Sequence, residues 1–181
     1  MEYNSFAIEG LLEIKLPTFT DGRGFFREVM HIDAVESLIQ KSFIVKQMNH
    51  SRSIKSTLRG IHVAPWNKLI YVTAGTVQSI IVDVRKDSET FGQYQSFEIG
   101  EDNKSALFVP AGCGNSYLVL SDDADYTYLT DEDWTPNKEI GIMWNDPSLN
   151  IQWLLKEDAL LSEKDKNNLL LTDFTARELF K

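Results

Sequence analysis

The chain has 181 residues, which is enough for one domain with a sizeable core, and its 43% apolar and 11% aromatic residues are typical of a folded globular protein. Twenty-seven acidic against eighteen basic residues give a formal net charge of -9, which disfavours general binding to nucleic acid or to a membrane surface. The single cysteine, Cys113, excludes an intramolecular disulfide, and no apolar run approaches the roughly 20 residues that span a bilayer. The N-terminus also lacks the pattern of a signal peptide, so we expect one cytoplasmic domain over residues 1–181.

The predicted elements begin with a helix and continue as a series of strands. Residues 32–41 have apolar side chains at helical spacing. Beyond them, short β-rich runs alternate with turn signals, and this pattern predicts strands at residues 43–45, 68–73, 77–84, 94–99, 106–109, 117–120 and 125–129. Two of the intervening turns, Ala74-Gly75 and Ser121-Asp122-Asp123, predict β-hairpins.

The C-terminal tail predicts further helix. Ser162 is a suitable N-cap residue before Glu163 and Asp165. Many short strands, with helices confined to the region near the N-terminus and to the C-terminus, are typical of an all-β sandwich or barrel.

The segment Leu58-Arg59-Gly60-Ile61-His62, followed by Lys68 at the head of an apolar run, is the strongest candidate for chemistry. If it is extended, Gly60 and His62 share one face, and the glycine leaves room beside the histidine. The alternative interpretation is a structural histidine with surface cations. A metal site is not expected, because Val63 and Ala64 follow and no histidine occurs after residue 62.

Two further candidates also have ordinary structural interpretations. Tyr126 and Tyr128 alternate along one predicted strand, which fits aromatic packing, although a phenol opposite a histidine could also return a proton. Asp165 lies near a predicted helix start, where a carboxylate commonly complements the helix dipole. Sequence spacing alone does not bring Asp165 to His62.

Six motifs together resemble those of the dTDP-4-dehydrorhamnose 3,5-epimerase family. They occur in order over roughly residues 15 to 170: Asp21-Gly22-Arg23-Gly24-Phe25-Phe26-Arg27-Glu28, Gln47-Met48-Asn49-His50-Ser51-Arg52-Ser53, Leu58-Arg59-Gly60-Ile61-His62, Lys68-Leu69-Ile70, Val82-Asp83-Val84-Arg85-Lys86-Asp87-Ser88 and Trp144-Asn145-Asp146-Pro147. The resemblance implies a cupin-like β jelly roll, usually a homodimer, that needs no cofactor. It also implies epimerase activity on nucleotide-diphosphate-linked 4-keto-6-deoxy sugars, in the biosynthesis of surface polysaccharides such as O-antigen or capsule.

The same resemblance implies roles for individual residues. His62 would be the base, Asp165 would orient it, Lys68 would stabilise the enolate oxygen and Tyr128 would return a proton. The positions expected to hold the diphosphate and nucleotide are Arg23, Phe26, Glu28, Gln47, Asn49 and Arg59.

Three departures from the family pattern surround the expected pocket. Only five residues separate His62 from Lys68, where the family usually has a longer segment. Gly114-Asn115-Ser116-Tyr117 replaces the common Ala-His-Gly-Phe, and Trp134 replaces a tyrosine, so Asn115 and Trp134 are expected to contact the substrate. The Gly-Asn-Ser version is similar to a branch that handles other nucleotide sugars, including GDP-linked 4-keto heptoses. The nucleotide base, the sugar and the inverted carbon therefore stay open.

Two other functions also fit these residues. One is a non-catalytic cupin-like protein that binds sugar nucleotides or carbohydrate. The other is a sugar-nucleotide ketoisomerase, although that group usually has further histidines after the Arg-Gly-x-His motif.

Overall fold

The computed structural model describes residues 2–175, so Met1 and residues 176–181 of the predicted domain and tail lie outside the described residues. The strands within this range are β1 (Tyr3–Ser5), β2 (Leu12–Lys15), β3 (Thr18–Asp21), β4 (Gly24–Arg27), β5 (Gln47–Ile54), β6 (Leu58–Val63), β7 (Lys68–Ala74), β8 (Thr76–Asp83), β9 (Tyr94–Gly100), β10 (Ser105–Val109), β11 (Cys113–Val119), β12 (Asp123–Thr130) and β13 (Ile140–Gly141). The helices are α1 (Ile32–Ile39), α2 (Glu163–Lys166) and α3 (Leu171–Thr175). None of these helices is long and apolar enough to cross a membrane.

Two antiparallel sheets form the body of the protein. The six-stranded sheet has the order β1-β2-β10-β7-β12-β5, and the five-stranded sheet has the order β13-β6-β11-β8-β9. Consecutive strands often lie in different sheets, as in a jelly roll. The predicted all-β jelly roll, with short helices near the N-terminal region and the C-terminus, is thereby confirmed.

Three hydrophobic clusters explain why the central strands are buried along most of their length. One cluster fills the space between the sheets and includes Ile70 and Tyr126 from one sheet and Ile81 from the other. A second cluster covers the outer face of the six-stranded sheet with α1. The third covers the outer face of the five-stranded sheet with the C-terminal segment. Strands covered on both faces read as apolar runs rather than alternating ones.

Both helical predictions are confirmed. The helix predicted at residues 32–41 is α1, which ends where Gln40 adopts a left-handed conformation at φ 53°. Ser162 is the N-cap of α2, and its Oγ accepts a hydrogen bond from the backbone N–H of Asp165 at 3.1 Å.

Both predicted hairpins are wrong, because each turn carries the chain from one sheet to the other. Gly75 separates β7 from β8, and residues 120–122 separate β11 from β12, yet neither pair of strands is hydrogen-bonded together. The two connections pack against each other, since a Cβ on Gly75 would lie 2.1 Å from the carbonyl oxygen of Asp123. Turn chemistry predicts a reversal of the chain but not the sheet that the next strand joins.

The strand predicted at residues 43–45 is also wrong. Phe43 is instead a fully buried loop residue that packs edge-on against Phe108, with ring centroids 5.7 Å apart. The strand begins later, at Gln47, in a segment whose polar composition hid it. This strand, β5, is an edge strand, and its alternating burial places every second side chain toward the space between the sheets.

Candidate active site

A cavity of about 300 Å³ opens between the two sheets and collects most of the chemically active side chains. Both sheets contribute to it, because inward-facing residues of β5, β7 and β12 meet those of β6 and β11. The lining residues are Asn49, His50, Ser51, Arg59, His62, Lys68, Asn115, Tyr117, Tyr126, Tyr128, Trp134 and Glu139. A larger cleft of about 640 Å³ is lined by residues such as Lys55, Trp153 and Leu154, but no histidine lies among its described lining residues. The side chains that line the smaller cavity therefore make it the better candidate for the active site.

His62 and Asp165 form a hydrogen-bonded pair at the cavity wall. His62 is partly exposed on β6, and its Nε2 lies 2.7 Å from Oδ1 of Asp165, which is only 3% exposed. A carboxylate accepts hydrogen bonds, so the Nε2 proton points to Asp165 and the lone pair of the neutral ring lies on Nδ1. The pair has the arrangement of a general base and its orienting group.

Further donors hold the Asp165 carboxylate in place. Ser162 Oγ donates to its Oδ2 at 3.0 Å, and Asn168 Nδ2 donates to its Oδ1 at 3.3 Å. Burial raises the pKa of Asp165, but the hydrogen bonds from His62, Ser162 and Asn168 outweigh it and hold this pKa below the ordinary value. Asn168 occupies space that a side chain on Gly141 would fill, since a Cβ there would lie 1.9 Å from the Asn168 Oδ1. Asp165 therefore stays ionised beside the histidine.

Gly60 lets β6 approach β11 closely. Its φ is +113°, and a Cβ would lie 2.7 Å from the carbonyl oxygen of Asn115. In the same strand pair, His62 lies opposite Asn115. A glycine at this position therefore allows β6 and β11 to pack closely beside His62.

Lys68 and Tyr128 meet in the same cavity. Lys68 is 4% exposed, and its Nζ lies 5.8 Å from the centroid of the Tyr128 ring, with no carboxylate of residues 2–175 within ion-pair distance. Burial lowers the pKa of Lys68. Burial, followed by the nearby Glu139 and Tyr117, raises the pKa of Tyr128, so its phenol keeps its proton at neutral pH. A buried lysine and a protonated phenol therefore share one cavity.

Asn115 faces the cavity and is hydrogen-bonded to a buried tyrosine. Its Nδ2 donates to the Tyr126 hydroxyl at 3.1 Å, which leaves the amide oxygen as an acceptor. The Tyr126 ring stacks on Tyr117, with centroids 4.0 Å apart. Asn115 therefore presents its neutral amide oxygen to the cavity, next to the stacked rings of Tyr117 and Tyr126.

Three of the expected substrate-binding residues lie together at one side of the cavity. Gln47 Nε2 donates to Asn49 Oδ1 at 2.7 Å, and Gln47 Oε1 accepts the backbone N–H of Trp134 at 2.8 Å. Asn49 and Trp134 line the cavity directly, whereas Gln47 supports them from behind. Trp134 is 51% exposed, so its ring stands at the rim.

Arg23, Phe26 and Glu28 do not line this cavity. They lie on or next to the separate hairpin of β3 and β4, where Arg23 pairs with Asp21 at 2.6 Å. Phe26 is 65% exposed, and Phe19 and Phe25 beside it are also exposed. One chain therefore does not bring these three residues to His62.

Sequence reasoning assigned no role to several residues that the cavity contains. Tyr117 and Ser51 both line it and are hydrogen-bonded to each other at 2.8 Å. Glu139 also lines it and pairs with Lys164 at 3.1 Å. The sequence signal that could have indicated Ser51 is the alternation of inward and outward residues along β5. Hydrophobic periodicity does not detect this alternation, because the residues of β5 are mostly polar. No group of three or more potential metal-ligating side chains lies together in the described part of the chain.

Comparison with known proteins identifies the family. The family model described as dTDP-4-dehydrorhamnose 3,5-epimerase matches residues 5–173. A dTDP-4-dehydrorhamnose 3,5-epimerase of Pseudomonas aeruginosa is 37% identical over 176 residues, which cover 96% of this chain and 97% of the relative. The enzyme of Escherichia coli is 35% identical over 176 residues, with 95% of each chain covered.

Solved structures agree with the sequence relatives. The epimerase of Legionella pneumophila, in complex with dTDP-4-keto-L-rhamnose, has a TM-score of 0.90 at 35% identity and covers 94% of this chain and 93% of that one. NovW of Streptomyces spheroides, a 4-keto-6-deoxy sugar epimerase, has a TM-score of 0.92 at 30% identity and covers 96% of this chain and 88% of that one. The cupin-like form of the jelly roll and the resemblance in the motifs are thereby confirmed. The chain is an isomerase that belongs to the dTDP-4-dehydrorhamnose 3,5-epimerase family.

Proposed function

We propose that the protein inverts C3, C5 or both of a nucleotide-diphosphate-linked 4-keto-6-deoxy sugar by removing and returning a proton beside the C4 ketone. The main support is that His62, Lys68 and Tyr128 line one cavity while His62 is hydrogen-bonded to Asp165 at 2.7 Å. A base, a cation and an acid are the groups that such a proton transfer uses. The relatives' names, and the dTDP-4-keto-L-rhamnose in the Legionella structure, support the substrate class.

The first step is removal of a carbon-bound proton. The C4 ketone acidifies the protons on C3 and C5, and the lone pair of His62 Nδ1 takes one of them. The electron pair of the broken C–H bond moves to the C4 oxygen, which becomes an enolate. Lys68 donates a hydrogen bond to this oxygen from a buried position, where a cation stabilises developing negative charge more strongly than it would in water.

The second step returns a proton to the opposite face of the same carbon. Tyr128 has a protonated phenol at neutral pH, because burial and the nearby Glu139 raise its pKa. The enolate collapses to the ketone as the carbon takes the phenolic proton. Solvent then removes the proton from His62 and restores the phenol.

The nucleotide diphosphate lies at the end of the cavity that holds Arg59. The guanidinium of Arg59 provides several N–H donors in a planar fork that fits phosphate oxygens. Asn49, Trp134 and Asn115 supply polar and aromatic contacts along the same cavity, with Gln47 behind them.

Solvent deuterium exchange tests this function. The protein is incubated in deuterated water with dTDP-, CDP- and GDP-linked 4-keto-6-deoxy sugars, and incorporation at C3 and C5 is read by NMR. We expect exchange with at least one sugar, and we expect His62→Ala to abolish it while the variant still melts like the wild type. Binding without exchange at either carbon would contradict the proposal and favour a binding protein, and conversion to a 3-keto sugar would favour a ketoisomerase.

The protein acts as a homodimer in which the hairpin of β3 and β4 completes the partner's cavity. Three observations support this: the hairpin forms a sheet of its own, its Phe19, Phe25 and Phe26 are 60–65% exposed, and the expected binding residues on it lie apart from the cavity of their own chain. Exposed apolar clusters of this kind commonly mark interfaces. A C2 dimer would place each hairpin equivalently at the other chain.

Mixing two inactive variants distinguishes a shared site from a site within one chain. Refolding His62→Ala together with Arg23→Ala gives hybrid dimers in which one site has both intact residues. A shared site should then recover up to about a quarter of the wild-type activity, because half of the dimers are hybrids with one good site. No recovery, or a monomer in analytical ultracentrifugation, would contradict the shared site.

The reaction belongs to the cytoplasmic synthesis of an activated sugar for a surface polysaccharide such as O-antigen or capsule, and the whole chain of 181 residues forms one domain for this task. Deleting the gene in its host should remove one deoxy sugar from the surface polysaccharide. An unchanged sugar composition would contradict this assignment.

Limited proteolysis tests whether the chain forms a single domain, since a stable fragment that lacks either sheet would show more than one folding unit.

A further inference from the structure

A buried phenol lies in the wall of the cavity close to Arg59. Tyr117 is 5% exposed, and its hydroxyl lies 2.8 Å from Ser51 Oγ and 3.2 Å from Ser53 Oγ. The tyrosine is on β11 and both serines are on β5, so the hydroxyl connects the two sheets. The mechanism proposed above does not use this group.

The hydrogen bonds continue from this phenol to Arg59. Arg59 Nε donates to Ser53 Oγ at 3.1 Å. At the other end, Ser51 Oγ donates to the backbone carbonyl of Tyr126 at 3.4 Å. Ser116, the neighbour of Tyr117, donates to the carbonyl oxygen of Arg59 at 2.6 Å and so fixes the backbone from which the arginine extends.

The chemistry of the two ends gives this chain of hydrogen bonds one direction. Arg59 Nε can only donate and the Tyr126 carbonyl can only accept, while each hydroxyl between them has one proton to donate. Ser53 therefore accepts from Arg59 and donates to Tyr117, Tyr117 donates to Ser51, and Ser51 donates to the carbonyl. Each hydroxyl then donates once and accepts once, and such chains strengthen their members cooperatively.

The hydrogen bond at Nε determines which side of the Arg59 guanidinium is available to a ligand. With Nε held by Ser53, the two terminal nitrogens of Arg59 have no partner within residues 2–175. They are fixed in orientation at an exposed position beside the cavity. A fork fixed in advance loses less side-chain entropy when it binds a phosphate group.

We propose that Tyr117 is a positioning residue for diphosphate recognition, which orients Arg59 through the hydroxyl of Ser53. This rests on the proposed function in one respect, that Arg59 contacts the diphosphate of the substrate. The role belongs to the phenolic hydroxyl and not to the ring, because the ring's stacking on Tyr126 does not need it.

The Tyr117→Phe variant keeps the ring and removes only the hydroxyl. Titration with inorganic pyrophosphate, which carries no base or sugar, and with dTDP, CDP and GDP should show roughly three- to tenfold weaker binding, in line with the loss of one hydrogen bond to a charged network. In the exchange assay, the effect should fall mainly on KM and little on kcat. Tyr94→Phe is the matched control, because Tyr94 OH accepts a hydrogen bond from Gln152 N outside the cavity and its loss should leave pyrophosphate binding as in the wild type.

A double-mutant cycle tests whether the effect passes through Ser53. In a Ser53→Ala background, Tyr117→Phe should weaken pyrophosphate binding by less than about twofold, because the link to Arg59 is already broken. The Arg59 Nε–H signal in proton–nitrogen NMR, assigned by its loss in Arg59→Lys, should move in both single variants without any ligand. Additive effects of the two substitutions, or an Nε–H signal that Tyr117→Phe leaves in place, would overturn the proposal.

The outcomes separate this inference from the proposed function. If no sugar nucleotide undergoes exchange, the epimerase proposal fails, yet weaker pyrophosphate binding in Tyr117→Phe and the shifted Nε–H signal would still support the positioning role. If exchange occurs and Tyr117→Phe changes neither KM nor pyrophosphate binding, the positioning role fails and the epimerase proposal stands.

Discussion

Asp165 accepts a hydrogen bond from His62 Nε2 at 2.7 Å, although the two residues are 103 positions apart in the chain. The contact forms because the segment that contains α2 returns to the sheet edge beside β6, where residues 57 and 160 also form a parallel bridge. Ser162 and Asn168 then hold the carboxylate from both sides. The base is thus oriented by a residue that belongs to a different part of the fold.

Asp165→Asn should lower the rate of deuterium exchange by about 10²- to 10⁴-fold with little change in KM. An amide can donate to Nε2 and so favours the wrong tautomer of His62, as the corresponding substitution does in the catalytic triad of serine proteases. Single-turnover exchange kinetics measure the effect. Asp158→Asn, at an exposed position, is the control and should match the wild type. A fall of less than tenfold in Asp165→Asn would show that the carboxylate does not orient the base.

Lys68 predicts an alkaline limit to activity. Its ammonium must be charged to stabilise the enolate, and because burial lowers its pKa from the ordinary 10.5, the charge is lost at a lower pH than for an exposed lysine. The pKa of Tyr128 is shifted the opposite way, so the phenol does not set this limit. The exchange rate should therefore fall as pH rises, before it reaches 10.5.

Substitution separates the charge of Lys68 from its shape. Lys68→Met should reduce exchange by about 10²- to 10³-fold, the usual effect of removing one oxyanion-stabilising donor. Lys68→Arg should not restore the rate, because a planar guanidinium does not fit the buried position of an ammonium. A pH–rate profile that keeps its alkaline limit in Lys68→Met would assign that limit to another group.

Tyr128→Phe should slow inversion more than it slows exchange at the carbon that His62 deprotonates. The phenyl ring keeps the packing against Tyr126, whose ring lies 6.3 Å away, but it has no proton to return to the opposite face. Deuterium at C3 and C5 and the ratio of epimers are read from the same NMR samples over time. Equal loss of both rates would point to a role for Tyr128 in binding instead.

Local patterns predicted the strands better than their connections. The apolar runs of β7 and β8 predict strands correctly because both faces of their sheets are covered, but the turn at Gly75 predicts a hairpin that does not form. Hydrophobic periodicity does not predict the polar strand β5, because an edge strand beside a polar cavity has no apolar face. Packing between the sheets decides both features, and sequence periodicity does not contain that information.

Local sequence likewise predicts some residues of the candidate site and not others. The histidine and lysine of β6 and β7 could be proposed from local spacing, whereas Asp165 was assigned only through the family resemblance, because nothing within its segment indicates a distant partner. Tyr117 belongs to a segment that departs from the family pattern, but the sequence alone indicates no role for it. Its contacts with Ser51 and Ser53 exist only once β5 and β11 face each other across the cavity.

Gly60→Ala should destabilise the protein by about 2 kcal/mol or more. The substitution strains a residue at φ +113° and forces a methyl group against the backbone of β11. Gly22→Ala is a matched control, because a Cβ there would meet nothing within 4 Å. Urea unfolding of both variants gives the comparison. A Gly60→Ala midpoint equal to that of the control would show that β6 and β11 do not approach as closely as described.

Asp83 predicts how stability changes in acid. It is fully buried at the end of β8, and although burial raises its pKa, hydrogen bonds from Arg85, Ser88 and Thr90 hold that pKa at about 2 instead of 3.8. Because the folded-state pKa lies below the unfolded value, the stabilisation is present above pH 3.8 and is lost as pH falls toward 2; its size is about 2 kcal/mol. Asp83→Asn should lose about 2 kcal/mol at pH 7, because the neutral amide cannot form the ion pair with Arg85, and stability should then change less between pH 4 and pH 2. Urea unfolding at pH 7, 4 and 2 measures both effects, with Asp87→Asn, exposed in the same loop, as the control. An acid dependence in Asp83→Asn equal to that of the wild type would assign the acid-sensitive stability to other carboxylates.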